Sequence, residues 1–288
     1  MKDPSLQIYA DLHTHSNASD GDLSPQELFS KALSCGISSI ALTDHDTLSG
    51  ISYFLESGHA PGLEVVPGIE ISAEYEPGML HILGYFARLP EGLEEELEEV
   101  QEARRRRIPR IIEKLNYLGI MITQGDVMPA SPTAQLGRPH VARAMLKKGY
   151  VRSLDEAFRE YIGKGRKAYV PKEKMPWEKA LSLITRYRGL TVLAHPYTLG
   201  LDNDGLAAFV SRLKDAGLAG IEINYPEHSP EQISFYSYLA SKSGLIVTGG
   251  TDFHGPGRNG LSPGEYGLTA EQFSTFRERL CESGENRS

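Results

Sequence analysis

The sequence predicts an α/β fold in which seven parallel strands close into a TIM-like barrel interrupted by a helical insertion. Three observations predict it. Short apolar, β-branched runs recur along the chain, helical patterns lie between many of them, and His, Asp and Glu sit at or beside the runs. Strands alternating with helices mark βα units and a parallel sheet. Such a sheet can also stay open and doubly wound. Closure is preferred because it gathers the C-terminal strand ends on one face, where residues remote in sequence share one site.

The expected strands are residues 6–12, 38–43, 64–69, 80–86, 190–194, 220–223 and 245–248. Helical stretches at 25–35, 206–216 and 230–243 follow the first, fifth and sixth. Between the fourth and fifth strands the pattern changes. Residues 93–118 read as a long helix, acidic at first (Glu94, Glu95, Glu96, Glu98, Glu99) and then basic from Arg104 to Arg107. Pro109 is expected to kink it or to start a new one. Further helices are expected around 139–148 and 154–161, and 163–171 (GKGRKAYVP) reads as a loop. Residues 93–171 are thus expected to form a helical cap inserted into a barrel of residues 1–92 and 172–288.

A chain of 288 residues can bury a substantial core without staples. The two cysteines, Cys35 and Cys281, form no CxxC pair, which favours a reducing compartment and a cytoplasmic location. The N-terminal stretch lacks the apolar core of a signal peptide, and no apolar run is long enough to cross a bilayer, so no membrane partner is expected. The formal charge of −8 disfavours a groove for duplex DNA. It agrees with carboxylates gathered around cations.

Six of the nine histidines lie at or beside expected strands. His13 and His15 end the first, His45 follows the second, Glu70 the third. His81 lies on the fourth, His195 ends the fifth, Glu222 lies on the sixth, and Asp252 and His254 follow the seventh. Imidazole and carboxylate together suit divalent Zn, Mn or Fe, and a carboxylate can bridge two ions. His13 and His15 are two apart, as are Asp252 and His254, so in extended chain each pair faces one way. Asp11 is placed to orient a ligand histidine from behind. His59 and Cys35 read as structural and Trp177 as packing.

At these residues the chain resembles the PHP family, the polymerase and histidinol phosphatase superfamily. The motifs are DLHTHSNASDG (11–21), TDHDT (43–47), PGIEIS (67–72), HILGY (81–85), AHP (194–196) and TDFHG (251–255). GRPHVA (137–142) and YIGKGRKAYVP (161–171) resemble one subgroup, bacterial phosphoesterases that remove the 3′-phosphate of nucleoside 3′,5′-bisphosphates, some of which also trim short RNA from the 5′ end. The resemblance implies a distorted seven-stranded barrel and a cluster of two or three divalent ions, Mn, Fe or Zn. By it, His13, His15, Glu70 and Asp252 hold one ion; Glu70, His81 and His195 a second; Asp20, His45 and His254 a third. Asp20 stands where relatives often have His, and the resemblance implies that an oxygen ligand there either weakens the site or favours Mn or Fe over Zn. Thr251 replaces a common Ser without consequence for ligation.

The expected reaction is hydrolysis of a phosphate monoester by metal-generated hydroxide, attacking in line, with His195 or His254 to orient it. A bisphosphate needs a second anion site. Arg138 is the first candidate, with its planar fork, followed by His140 and by Lys164, Arg166 and Lys167 of the loop. Tyr225 and His228 are candidates for base or ribose contacts. The Arg104–Arg107 run reads as a solvated helix face paired with Glu. The expected partner is a small phosphorylated substrate, a nucleotide, with short single-stranded RNA as the alternative. Two other readings weigh less. A histidinol-phosphatase role conflicts with the nucleotide-type insertion, and a non-catalytic binding module conflicts with a competent residue at every ligand position.

Overall fold

The computed structural model describes residues 7–57, 62–127, 137–171, 173–256 and 260–285. His59 lies outside them. Eight strands form one sheet: β1 (Ala10–Thr14), β2 (Ser39–Leu42), β3 (Glu64–Glu74), β4 (Leu80–Tyr85), β5 (Met175–Pro176), β6 (Leu190–Leu193), β7 (Gly220–Asn224) and β8 (Ile246–Gly249). Their order is β1-β2-β3-β4-β6-β7-β8, with the short β5 off this path, paired in parallel with β3 at Ala73 and Glu74. Isolated bridges from Thr14 to Phe253 and from Ala10 to Leu268 bring the two edges together, so the sheet is nearly a closed barrel.

The expectation of uniformly parallel strands fails at β4, which is antiparallel to both β3 and β6. Only residues 75–79 separate β3 from β4. A parallel crossover needs a dozen residues or more, so this link can only be a hairpin. The reversal is what distorts the barrel. It also has a consequence for His81, the second residue of β4: the beginning of a reversed strand lies on the same rim as the ends of its neighbours.

The helices are α1 (Pro25–Ser34), α2 (Ser49–Ser57), α3 (Leu93–Glu96), α4 (Glu98–Tyr117), α5 (Gln124–Val127), α6 (Arg138–Lys147), α7 (Leu154–Ala157), α8 (Trp177–Arg186), α9 (Asn203–Asp215), α10 (Pro230–Ser243) and α11 (Ala270–Glu285). Several starts are written locally. Ser24 caps α1 and Ser229 caps α10, each with a reciprocal partner three residues on, Glu27 or Gln232, and each followed by proline. Asp202 caps α9. Helices α2, α8 and α11 escaped the sequence reading. Pro109 does not start a new helix; it sits inside α4, and the break falls at Leu97. Pro109 and Arg105 are both on the exposed face, where the carbonyl freed by proline can be hydrated. The expected helix at 154–161 is α7 followed by a π-helical turn, Phe158–Ile162.

Two hydrophobic clusters belong to the barrel. The larger packs α1, α2, α8, α9 and α10 against the strands. In the other, α11 places Phe273, Phe276 and Leu280 against Ala10, Ala41, Val66, Leu83, Val192 and Ile246. Tyr85 meets Phe276 edge-on at 5.1 Å and donates to the carbonyl of Leu12 at 2.8 Å. The segment between β4 and β5 has a separate cluster that includes Ile108, Ile111, Leu115, Val141, Met145, Ile162 and Val170. Leu93 and Leu97 pack instead with the barrel. Among the described residues no helix is long and apolar enough to cross a membrane.

Candidate metal centre

Glu70, near the middle of β3, is the hub. Its Oε1 lies 2.7 Å from His81 Nδ1 and 3.0 Å from His195 Nε2. Its Oε2 lies 2.9 Å from His45 Nδ1, 3.3 Å from His15 Nε2 and 3.5 Å from His13 Nε2. Asp252 Oδ1 faces the same pair, 3.0 Å from His15 and 3.3 Å from His13. His254 Nε2 is 3.1 Å from Asp20 Oδ1, and its ring stacks on His15 at 4.2 Å. Three groups of ligating atoms result: His13, His15, Glu70 and Asp252; His45, Glu70 and His81; and His15, Asp20, His45 and His254. Two of the positions carry uncommon backbone, His195 at φ 25° and Asp252 at φ 49°. Left-handed backbone outside glycine is concentrated where function holds it in place.

These atoms fit divalent cations. His13 Nε2, His15 Nε2, His45 Nδ1, Glu70 Oε2 and Asp252 Oδ1 are buried and make no hydrogen bond. A buried polar atom left so costs about 1–3 kcal/mol. Ligands about 2.1 Å from one ion stand about 3–3.4 Å apart, close to the spacings found. Electrostatics agree. Burial raises the carboxyls of Glu70 and Asp252, but the facing imidazoles reverse this and hold both well below the usual range: His45, His81 and His13 for Glu70, His13 and His254 for Asp252. Burial and the neighbouring His254 push His15 down to about 3, and burial takes His81 down to about 4. Both are neutral, ligand-competent imidazoles at pH 7.

The far side of the imidazoles is also held. Glu222, fully buried on β7, accepts from His13 Nδ1 at 2.9 Å and from the His195 backbone N–H at 2.8 Å. Asp11 does not reach an imidazole as expected. Its carboxylate accepts from the backbone of His13, Thr251 and Gly264 and from the Thr251 hydroxyl, tying β1 to the chain after β8. Asp44 accepts from the Ser16 and Ser19 hydroxyls at 2.6 Å each, fixing the loop that carries Asp20, and burial raises its carboxyl to about 6.

A cavity of about 750 Å³ opens from Asp20, His45 and His81 towards the helical segment. Arg104, Arg107, Arg138, Lys164 and Lys174 line it, with Phe158 and Tyr169. Arg138 donates to the Ile162 carbonyl at 3.3 Å and packs over the rings of Phe158 and Tyr169 at 5.5 and 5.7 Å. Burial, and then the charge of Arg138, lowers Arg107 to about 10.

A model of the PHP domain matches residues 11–194. The chain belongs to the PHP family. It is 32% identical over 262 residues to the 5′-3′ exoribonuclease Rnm of Escherichia coli, covering 89% of this chain and 88% of the relative. It is 29% identical over 256 residues to the 3′,5′-nucleoside bisphosphate phosphatase of Chromobacterium violaceum, covering 88% and 90%. The solved structure of an amidohydrolase from Chromobacterium violaceum with bound sulfate has a TM-score of 0.84 at 27% identity, covering 94% of this chain and 96% of that one.

Of the residues expected as ligands of this PHP protein, all but His195 fall in these groups; His195 lies in none of them and meets Glu70 Oε1 at 3.0 Å, His45 stands with Glu70 and His81 in its place, and His15 adjoins two groups rather than one. The substrate candidates divide. Arg138 and Lys164 line the cavity, although Lys164 is bound to Glu76. His140 does not; its Nδ1 accepts from Gly137 N–H and caps α6. Arg166 and Lys167 are exposed outside it. Tyr225 supports the centre instead, donating to Asp252 Oδ2 at 2.9 Å, and His228 donates to the Ile223 carbonyl and packs on Tyr225 and Tyr236. The arginine run is not uniformly solvated. Arg105 and Arg106 pair with Glu102 as expected, whereas Arg104 and Arg107 turn inward. Lys174 was missed, and Glu222, noted on its strand, was given no role; it supports His13 and the His195 backbone.

Proposed function

We propose that this PHP protein, a metal-dependent phosphoesterase, removes the 3′-phosphate of nucleoside 3′,5′-bisphosphates in the cytoplasm. One observation carries the reading: a single cavity joins the His–Asp–Glu cluster to a cluster of arginine and lysine side chains. The ester to be cleaved sits at the former and the 5′-phosphate at the latter. His13, His15, Glu70 and Asp252 hold one ion, Glu70, His81 and His195 a second, and Asp20, His45 and His254 a third, the ions being Mn, Fe or Zn. Bound divalent ions lower the pKa of water and neutralise phosphoryl oxygens. The protein's part is to aim both phosphates. Arg138 presents a fork already oriented by Phe158, Tyr169 and the Ile162 carbonyl, so little freedom is lost on gripping phosphate. Burial lowers the pKa of Arg138 and Lys174, a cost that an anion offsets. Residues 93–171 act as a cap that carries most of these cations, and their separate hydrophobic cluster supports that division. The likeness to the Escherichia coli exoribonuclease favours a second reading, release of nucleotides from the 5′ end of short RNA at the same site.

Hydrolysis with Mn²⁺ tests the proposal, comparing phosphate release from a nucleoside 3′,5′-bisphosphate, the 3′-monophosphate and the 5′-monophosphate with nucleotide release from a short 5′-phosphorylated RNA. The bisphosphate is expected to have the highest kcat/KM, and Arg138→Met to raise KM about 10- to 100-fold through the lost charged contact. A preference for a monophosphate, or an Arg138→Met enzyme with unchanged KM, refutes the substrate assignment.

A further inference from the structure

The loops carrying two ligands of the third group are each gripped by an arginine from the segment between β4 and β5. Arg143 on α6 donates through Nη2 to the carbonyl of Asp20 at 3.0 Å and pairs with Asp22. The Asp22 N–H donates to the carbonyl of His254 at 2.7 Å. Gly255, at φ 139°, leaves the space that Asp22 fills; a Cβ there would lie 2.3 Å from Asp22 Oδ2. On the other side, Arg104 on α4 donates to the carbonyl of His45 at 2.9 Å and lies 3.5 Å from Asp46 Oδ2. Gln101 donates to the Asp46 carbonyl at 3.0 Å, beside the left-handed backbone of Asp46. The other groups are held differently. His13 and the His195 backbone rest on Glu222, and Asp252 on Tyr225, all within the barrel.

From this arrangement we infer that Arg143 and Arg104 are positioning residues through which the helical segment assembles the Asp20–His45–His254 cation site. It rests on the assignment of those three residues to one ion. Each arginine holds its loop through a main-chain carbonyl, that of Asp20 or of His45. Groups that orient ligands in this way affect metal affinity nearly as strongly as the ligands themselves. Arg104 also lines the cavity, so its substitution mixes two effects. Arg143 does not line it and isolates the positioning role.

The test uses the full chain as wild type, Arg143→Met, Arg143→Lys and Asp22→Asn. Bound Mn²⁺ is measured by elemental analysis after dialysis against graded free Mn²⁺, with circular dichroism and melting temperature alongside. Wild type is expected to hold three ions. In Arg143→Met and Asp22→Asn the weakest ion should bind about 10- to 100-fold less tightly while the other two are retained. Arg143→Lys should recover part of that loss, since lysine restores the charge but not the fork. At saturating Mn²⁺ the KM for the bisphosphate should match wild type. Unchanged affinity for all ions in both variants overturns the inference. So does equal weakening of all ions with a lowered melting temperature, which marks a folding role, or a raised KM at saturating Mn²⁺, which marks a substrate contact. A wild-type protein that holds only two ions overturns the third-site assignment and the inference with it. Three wild-type ions with an unaffected Arg143→Met overturn the inference alone.

Discussion

Glu222→Gln isolates what a carboxylate behind the metal ligands contributes. Its two oxygens accept from two donors, His13 Nδ1–H at 2.9 Å and the His195 backbone N–H at 2.8 Å, in a fully buried setting. Glutamine keeps the size but offers one acceptor and one donor group. One of the two N–H groups then faces an amide donor and loses its partner. A hydrogen bond to a charged group contributes about 1.5–3 kcal/mol, and an unpaired buried donor costs a similar amount. An independent scale agrees: removing a carboxylate behind a ligand histidine weakens metal binding about 10- to 100-fold, equivalent to about 1.4–2.8 kcal/mol. The loss should fall on the ions held by His13 and His195. Calorimetric titration of the metal-free variant with Mn²⁺, with circular dichroism to confirm folding, measures it. Wild-type affinity for every ion refutes the reasoning, as does a loss confined to the ion held by Asp20, His45 and His254.

Three further outcomes are expected. Glu70→Ala should lose bound metal and phosphoesterase activity together, since Glu70 faces His13, His15, His45, His81 and His195; an active, metal-free variant is incompatible with the assignment. In the metal-free protein, burial opposes the charge on His13 but Glu222, Asp252 and Glu70 raise it well above the usual imidazole range. Metal must therefore displace that proton: Mn²⁺ affinity should fall as pH falls, and titration in buffers of different ionisation enthalpy should report proton release. By the same sign, the stability contributed by charged His13 in the metal-free form is full below the unfolded pKa and is lost as pH rises through the raised one. Tyr85→Phe should unpair the buried carbonyl of Leu12 and lower stability by about 1–3 kcal/mol in a urea melt, leaving Mn²⁺ affinity intact; an unchanged midpoint contradicts the packing described.

The centre was legible because its residues carry local signals. His13 and His15, or Asp252 and His254, sit two apart in extended chain, and Glu70 and His195 are read from their place in or after a strand. The hairpin at 75–79 was equally readable from its length, yet the expectation of alternating βα units hid it. The arginine run shows the opposite case. Helical spacing separates Arg104 and Arg107 from Arg105 and Arg106, but nothing local says which face meets the barrel. His140 has the spacing of a partner to Arg138 and instead spends its ring on the start of α6.

By itself, the sequence determined which residue types suited to metal stand in the cluster and roughly where along each strand they stand, because those depend on side-chain chemistry and on the two-residue repeat of extended chain. Tertiary structure decided who supports them. Glu222 meets His13 across 209 positions and Asp11 meets Gly264 across 253. Such pairings follow from barrel closure and from the reversed β4, which are fixed by packing the whole chain at once and leave no mark in any short window of it.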